Sequence, residues 1–166
     1  MPALAFVERL QSEVLAARED SDPVLFGQAY NVRRYRDRLY CLKSAAPDSV
    51  QETLWPSGQT TIKVSDRQSL SCIPSSAGIS REQWQNARIK VTARSGGEKI
   101  SLPGRTGHHA LKKLFQEAGI PPWQREAIPL VYLDEKLAAV GDLWISAEFY
   151  SDENQDCVSL ILQRED

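Results

Sequence analysis

Between residues 51 and 163 the sequence breaks into nine short stretches of strand-forming residues: Gln51–Trp55, Thr60–Val64, Ser69–Ile73, Arg88–Arg94, Lys99–Leu102, Leu130–Leu133, Leu137–Val140, Leu143–Ala147 and Val158–Gln163. β-Branched and aromatic residues suit a pleated, half-buried surface. Many short strands cut off by turn residues point to an antiparallel sandwich or a partly open barrel. Asp134-Glu135 and Gly141-Asp142 read as hairpin turns, and Trp144, between Leu143 and Ile145, reads as core packing rather than a stacking surface. The expected class is α+β. A small helix-plus-hairpin segment over 1–44 precedes a mainly antiparallel β-sandwich or barrel-like domain over 45–166, with one or two short helices.

In the first 44 residues, Phe6, Val7, Leu10, Val14 and Ala17 recur at helical spacing, which predicts a helix over 3–18 with Pro2 in its first turn. The charged run Arg18 to Asp22 before Pro23 stops it. Gln28–Tyr35 and Arg38–Leu42 then read as two strands around an Arg36-Asp37 turn. Arginines interleaved with tyrosines on such a hairpin suit RNA contact and equally suit ordinary surface decoration, so both readings stay open. One helix and one hairpin make a poor independent core, so this segment is expected to end a larger domain. The run Ser44 to Ser49 has linker composition.

With 166 residues, 42% of them hydrophobic, the chain can bury one ordinary core. No apolar run approaches the roughly 20 residues of a membrane span, and no signal-peptide pattern opens the chain; the expectation is a cytoplasmic protein without membrane contact. Cys41, Cys72 and Cys157 are odd in number and widely spaced, which predicts reduced, mostly buried thiols. Charge is segregated although the net is only −2. Arg88 to Lys113 carries seven cations against Glu98, Tyr30 to Lys43 five against Asp37, and Glu148 to Asp166 six acids against Arg164. Two local basic blocks can hold a polyanion on one face even when the sum is near neutral.

Three motifs bear on chemistry. Ser95-Gly96-Gly97 resembles the opening of a pyrophosphate loop, but Glu98-Lys99-Ile100 follows where Asp-Ser and a helix should, so a nucleotide site is rejected. A hairpin turn is the simpler reading, and a nest of backbone N–H groups on an RNA phosphate stays open. His108 and His109 are adjacent and lack a third ligand, so no metal site is expected; contact with phosphate is their functional reading. A helix from His109 to Ala118 places Leu111, Leu114, Phe115 and Ala118 on one stripe, with Lys112 and Lys113 beside it. Pro121-Pro122 stiffens the exit and holds Trp123 and Arg125. No residue set suggests a catalytic nucleophile.

Arg94-x-Gly96-Gly97-Glu98, the run Leu111 to Glu117 with Gly119-Ile120-Pro121-Pro122-Trp123-x-Arg125, Ile128-Pro129-Leu130-x-Tyr132 and Ala138-Ala139-Val140-Gly141-x-Leu143-Trp144 together resemble the C-terminal domain of bacterial tRNA(Ile)-lysidine synthetases. Ala17 to Asp20 and Val32 to Tyr35 resemble the end of that family's substrate-recognition domain. The resemblance implies a β-sandwich, and it implies a parent enzyme whose N-terminal domain uses ATP, with Mg2+, to adenylate the wobble cytidine of a CAU-anticodon isoleucine tRNA before lysine displaces AMP. It further implies that this chain lacks that domain, holds no cofactor, is inactive alone and docks the tRNA body.

Two functional readings follow. In the first, Arg94, Arg105, His108, His109, Lys112, Lys113 and Arg125, with Arg33 and Arg34 of the hairpin, contact tRNA. In the second, the chain is a non-catalytic interaction module for the N-terminal catalytic domain or a second subunit. The oligomeric state, a homodimer included, stays open.

Overall fold

The computed structural model describes residues 4–45, 48–153 and 156–165. The chain separates into two units, Met1–Pro47 and Asp48–Asp166, slightly beyond the break expected between 44 and 45. Pro2, read as part of the first helical turn, and Ala46-Pro47 of the linker lie outside the described residues.

In the first unit, α1 (Leu4–Arg9) runs into a π-helical turn, Leu10–Leu15, where the Ala16 N–H donates to Gln11 O at 3.0 Å. The helix is therefore shorter than the expected 3–18. Its end is fixed by Arg34, whose guanidinium donates to Leu15 O at 2.7 Å and to the carbonyls of Ala17 and Arg18, satisfying groups that a helix terminus leaves unpaired. Three strands follow in the order β1 (Val24–Phe26), β2 (Tyr30–Tyr35) and β3 (Arg38–Lys43), all antiparallel. The expected β2–β3 hairpin is present, turning at Arg36 with φ 54. The sequence pattern did not reveal β1, whose Val24-Leu25-Phe26 run directly follows the Pro23 break and lacks polar residues to alternate with. Val14 and Leu25 are fully buried.

The second unit contains all nine expected strands, with ends displaced by a few residues. In chain order they and their neighbours are β4 (Thr53–Leu54), β5 (Thr61–Lys63), β6 (Gln68–Ser75), β7 (Gly78–Ser80), α2 (Arg81–Asn86), β8 (Ile89–Thr92), β9 (Lys99–Ser101), β10 (His108–Ala110), α3 (Leu111–Glu117), α4 (Pro122–Arg125), β11 (Leu130–Leu133), β12 (Lys136–Val140), β13 (Trp144–Ile145), β14 (Tyr150–Ser151) and β15 (Cys157–Arg164). Two five-stranded sheets form, β13-β12-β11-β8-β4 and β14-β7-β15-β6-β5, with β9 and β10 as a separate ribbon. Neither sheet closes into a barrel. The longest pairing is β6 with β15, which runs from Cys157 opposite Ser75 to Arg164 opposite Gln68.

Side-chain alternation decides what each sheet face meets. On β8 and β11, Ile89, Val91, Val131 and Leu133 face Leu70, Ile79, Val158 and Leu160, forming the core between the sheets. The intervening Leu130 and, on β12, Val140 pack instead with Ile100, Leu111, Leu114 and Phe115. The first sheet is thus buried on both faces, and α3 with the ribbon makes a third layer over the sandwich.

Both expected turns close hairpins. Asp134 and Glu135 take positive φ between β11 and β12, the backbone twist that a two-residue antiparallel connection prefers, and Gly141 does so between β12 and β13. Trp144 packs on Phe115 with centroids 5.4 Å apart. The thiols depart from expectation, since Cys157 is buried but Cys72 is half-buried and Cys41 exposed. No helix among the described residues is long and apolar enough to cross a membrane.

Candidate functional site

The outer layer of the second unit holds the basic stretch. Leu111, Leu114 and Phe115 are 0%, 2% and 0% exposed, so α3 is clamped by one face, and Lys112 and Lys113 project from the other. Among the described residues neither lysine has an ion-pair partner. The helix begins where β10 ends, and the Leu111 N–H donates to Glu98 O at 3.0 Å, which pins the first turn to the loop before β9. On the ribbon, Lys99 lies opposite Ala110, Ile100 opposite His109, and Ser101 opposite His108. Lys99 is exposed and its backbone borders the start of α3, so it belongs to the same surface. The sequence reading counted its charge but did not single it out, because only the ribbon register shows where it falls.

The Ser95-Gly96-Gly97 segment departs from the expected hairpin. It joins β8 to β9, which lie in different sheets, although both glycines take the expected positive φ. Its backbone nest already holds an anion. Glu98 Oε1 accepts from the Ser95 N–H at 2.5 Å, the Gly96 N–H at 3.0 Å and the Ser95 hydroxyl at 3.2 Å. Partial burial pushes the Glu98 carboxyl up, but these donors together outweigh it and hold the group below its ordinary value. Nearby, the Tyr132 phenol is pushed up by burial and by the Glu98 charge, and Lys90 stands 5.8 Å from the centre of its ring.

The remaining candidate cations are placed differently from the two lysines. Arg94 is held over the Phe115 ring and its side chain is only 11% exposed. Arg125 is 7% exposed, and its Nε donates to Ile120 O at 2.7 Å, bracing the turn between α3 and α4. The stiff Pro121-Pro122 exit therefore carries Arg125 inward, into the fold. Arg105 is exposed and bridges Glu117 at 3.0 Å. His109 shares the ribbon face of Ile100, and its Nε2 is buried without a partner among the described residues, whereas His108 is exposed. In the first unit, Arg33 pairs with Asp22 at 3.4 Å and Arg34 serves the helix terminus. Among the described residues no three His, Cys, Asp or Glu side chains converge as a metal site requires.

Residues 89–162 match the TilS substrate C-terminal domain, and residues 1–40 match the TilS substrate binding domain. The tRNA(Ile)-lysidine synthase of Methylococcus capsulatus is 37% identical over 150 residues, covering 89% of this chain and 34% of the relative. The chain belongs to the C-terminal region of the TilS family. The enzymes of the same name from Salmonella choleraesuis, 31% identical over 97% of this chain and 37% of theirs, and Xanthomonas campestris, 34% identical over 86% and 32%, agree. The chain spans about a third of the length of these relatives. A crystal structure of the TilS C-terminal domain shares the fold, with a TM-score of 0.55 and 19% identity over 70% of this chain and 99% of that one. Every candidate cation falls inside one of the two TilS spans. In the longer span His108, Lys112 and Lys113 are exposed on the outer layer, whereas Arg94 and Arg125 are turned into the fold.

Proposed function

We propose that this chain is the tRNA-docking part of a tRNA(Ile)-lysidine synthase, and that α3 and the β9–β10 ribbon carry its phosphate-contacting face. Chemistry takes place on a separate N-terminal domain that uses ATP and Mg2+ to activate the wobble cytidine of CAU-anticodon tRNA(Ile) for lysine. This chain has no part in that step beyond holding the substrate, and by itself it is inactive. The partners are the tRNA and the catalytic domain, met in the cytoplasm.

The observation that carries the reading is Lys112 and Lys113 standing exposed on a helix whose opposite face is wholly buried. A clamped helix needs no backbone ordering when its lysines meet phosphate, and each neutralised phosphate releases counterions. Lys99 and His108 extend the same face. Arg105 joins it only by leaving Glu117, while Arg94 and Arg125 support it from beneath.

The test is titration of the chain with full-length CAU-anticodon tRNA(Ile) at several salt concentrations, beside Lys112→Ala combined with Lys113→Ala. The double variant is expected to weaken binding by a similar factor for every tRNA and to flatten the salt slope by about 2. Its stability should stay within about 0.5 kcal/mol of the parent, because both side chains are exposed. Equal affinity and equal slope would sink the assignment.

A further inference from the structure

A cavity of about 490 Å³ opens at the end of the sandwich, between the β4–β5 loop, α2 and β8. It lies largely outside the two TilS spans and takes no part in the face described above. Its apolar wall is built by Trp55 and Trp84, whose rings meet edge to face with centroids 5.0 Å apart. The wall is rigid: Trp55 and Trp84 are 6% and 7% exposed, both belonging to the core, so only a small part of each ring is open to the cavity, and the Trp55 indole N–H donates to Gln59 O at 2.8 Å, closing the loop onto its own ring.

The rest of the lining gives the cavity a sign and a hydrogen-bonding character. Two arginines border it and no acid does. Arg81 is engaged by Asp156 at 2.7 Å, but Arg88 has no ion-pair partner among the described residues. Gln59 and Gln85 add carboxamides, each with both donors and an acceptor. A bare inorganic anion would leave the indole wall unused, and a purely apolar ligand would leave the arginine and the amides unused. A flat heterocycle with hydrogen-bonding edges and an attached phosphate uses all three. The volume is within the range of small-ligand sites, and RNA-binding proteins commonly take up splayed single-stranded bases against aromatic side chains.

The geometry points to this cavity as a site for one unpaired nucleotide of an RNA held on the same unit, its base packed on the apolar lining where the indole rims, Leu54 and Pro56 meet the opening, and its phosphate toward Arg88. The inference rests on the proposed RNA-docking function for the source of the nucleotide, and its test separates the two.

Cys72 also lines the cavity, so its alkylation rate reports occupancy. Two RNA hairpins, one blunt and one with a short single-stranded 3′ overhang, are titrated against the chain and against Arg88→Glu and Gln85→Ala, both of exposed residues away from α3. The overhang is expected to bind about tenfold more tightly than the blunt hairpin and to protect Cys72, and Arg88→Glu should remove that advantage while leaving blunt binding in place. Equal binding of the two hairpins with unprotected Cys72 would overturn the nucleotide site and leave RNA docking standing. If neither hairpin binds, the docking function fails, and AMP and CMP decide the cavity: protection of Cys72 by either, weakened in Arg88→Glu, upholds it, and no protection overturns it.

Discussion

The guanidinium carbon of Arg94 lies 5.0 Å from the centre of the Phe115 ring, where the chain leaves β8 beneath α3. Arg94 also reaches Glu126 at 3.5 Å, so one side chain ties the sheet, the clamped helix and the segment after α4 together. Its planar cation fits the ring face better than an ammonium would. Arg94→Ala is expected to destabilise the second unit by about 1–2 kcal/mol. Arg94→Lys should recover only part of that loss in urea unfolding, and the folded fraction of either variant should keep most of its RNA affinity.

Arg125 and the lysine pair should separate cleanly. Arg125→Ala removes the donor to Ile120 O and empties the space its buried side chain fills, and is expected to cost about 1–3 kcal/mol of stability, since a part-buried carbonyl then loses that donor. The Lys112→Ala, Lys113→Ala variant should instead lose affinity at unchanged melting temperature. Thermal melts run beside RNA titrations check both.

Glu98 gives the second unit an acid-sensitive loop. Its carboxyl is held below its unfolded value, so the stabilisation is fully present above that unfolded value and is lost as pH falls through the folded one. The contribution is under about 1 kcal/mol once solvent screening is allowed for. Glu98→Gln should lower stability at neutral pH and flatten the decline on acidification, measured by urea midpoints from neutral pH down through the carboxylate range. An undiminished decline in the variant would show that other carboxylates carry it.

The three thiols should react in order of access. Cys41 is exposed, Cys72 is half-buried, and Cys157 is buried with 0% exposure. Burial pushes the Cys72 thiol up, with the Arg81 charge opposing, so less thiolate is present to attack. Mass-resolved alkylation under native conditions is expected to label Cys41 first and Cys157 last.

At Gly78 the chain passes so close to β15 that an added Cβ would overlap Val158 O, and the backbone is at φ +138. Gly78→Ala is expected to cost about 3 kcal/mol or more by strain and displacement of β7 from β15. A melting temperature within a degree or so of the parent would contradict it.

Local chemistry made the sandwich legible, because alternation and turn residues act over a few positions. Leu130–Leu133 and Lys136–Val140 flank Asp134-Glu135 in the order that a hairpin requires, and the stripe of Leu111, Leu114 and Phe115 marks the clamped face of α3. β7 (Gly78-Ile79-Ser80) and β14 (Tyr150-Ser151) carry only one strand-forming residue each, and β10 was hidden because His108-His109-Ala110 sits against a helical run. The candidate site was legible as a stock of cations but not as a surface. The sequence by itself determined which residues alternate, where the chain turns and that Lys112 and Lys113 leave α3 away from its apolar stripe. Only the tertiary structure decided that Arg94 lies over Phe115, that Arg125 turns inward to Ile120 O and that Glu98 fills the Ser95-Gly96 nest. The first depends on a partner brought close by folding, and the other two on local backbone conformations that residue types alone do not specify; the energy of a charge is set by its neighbours and its access to water rather than by its position in the chain.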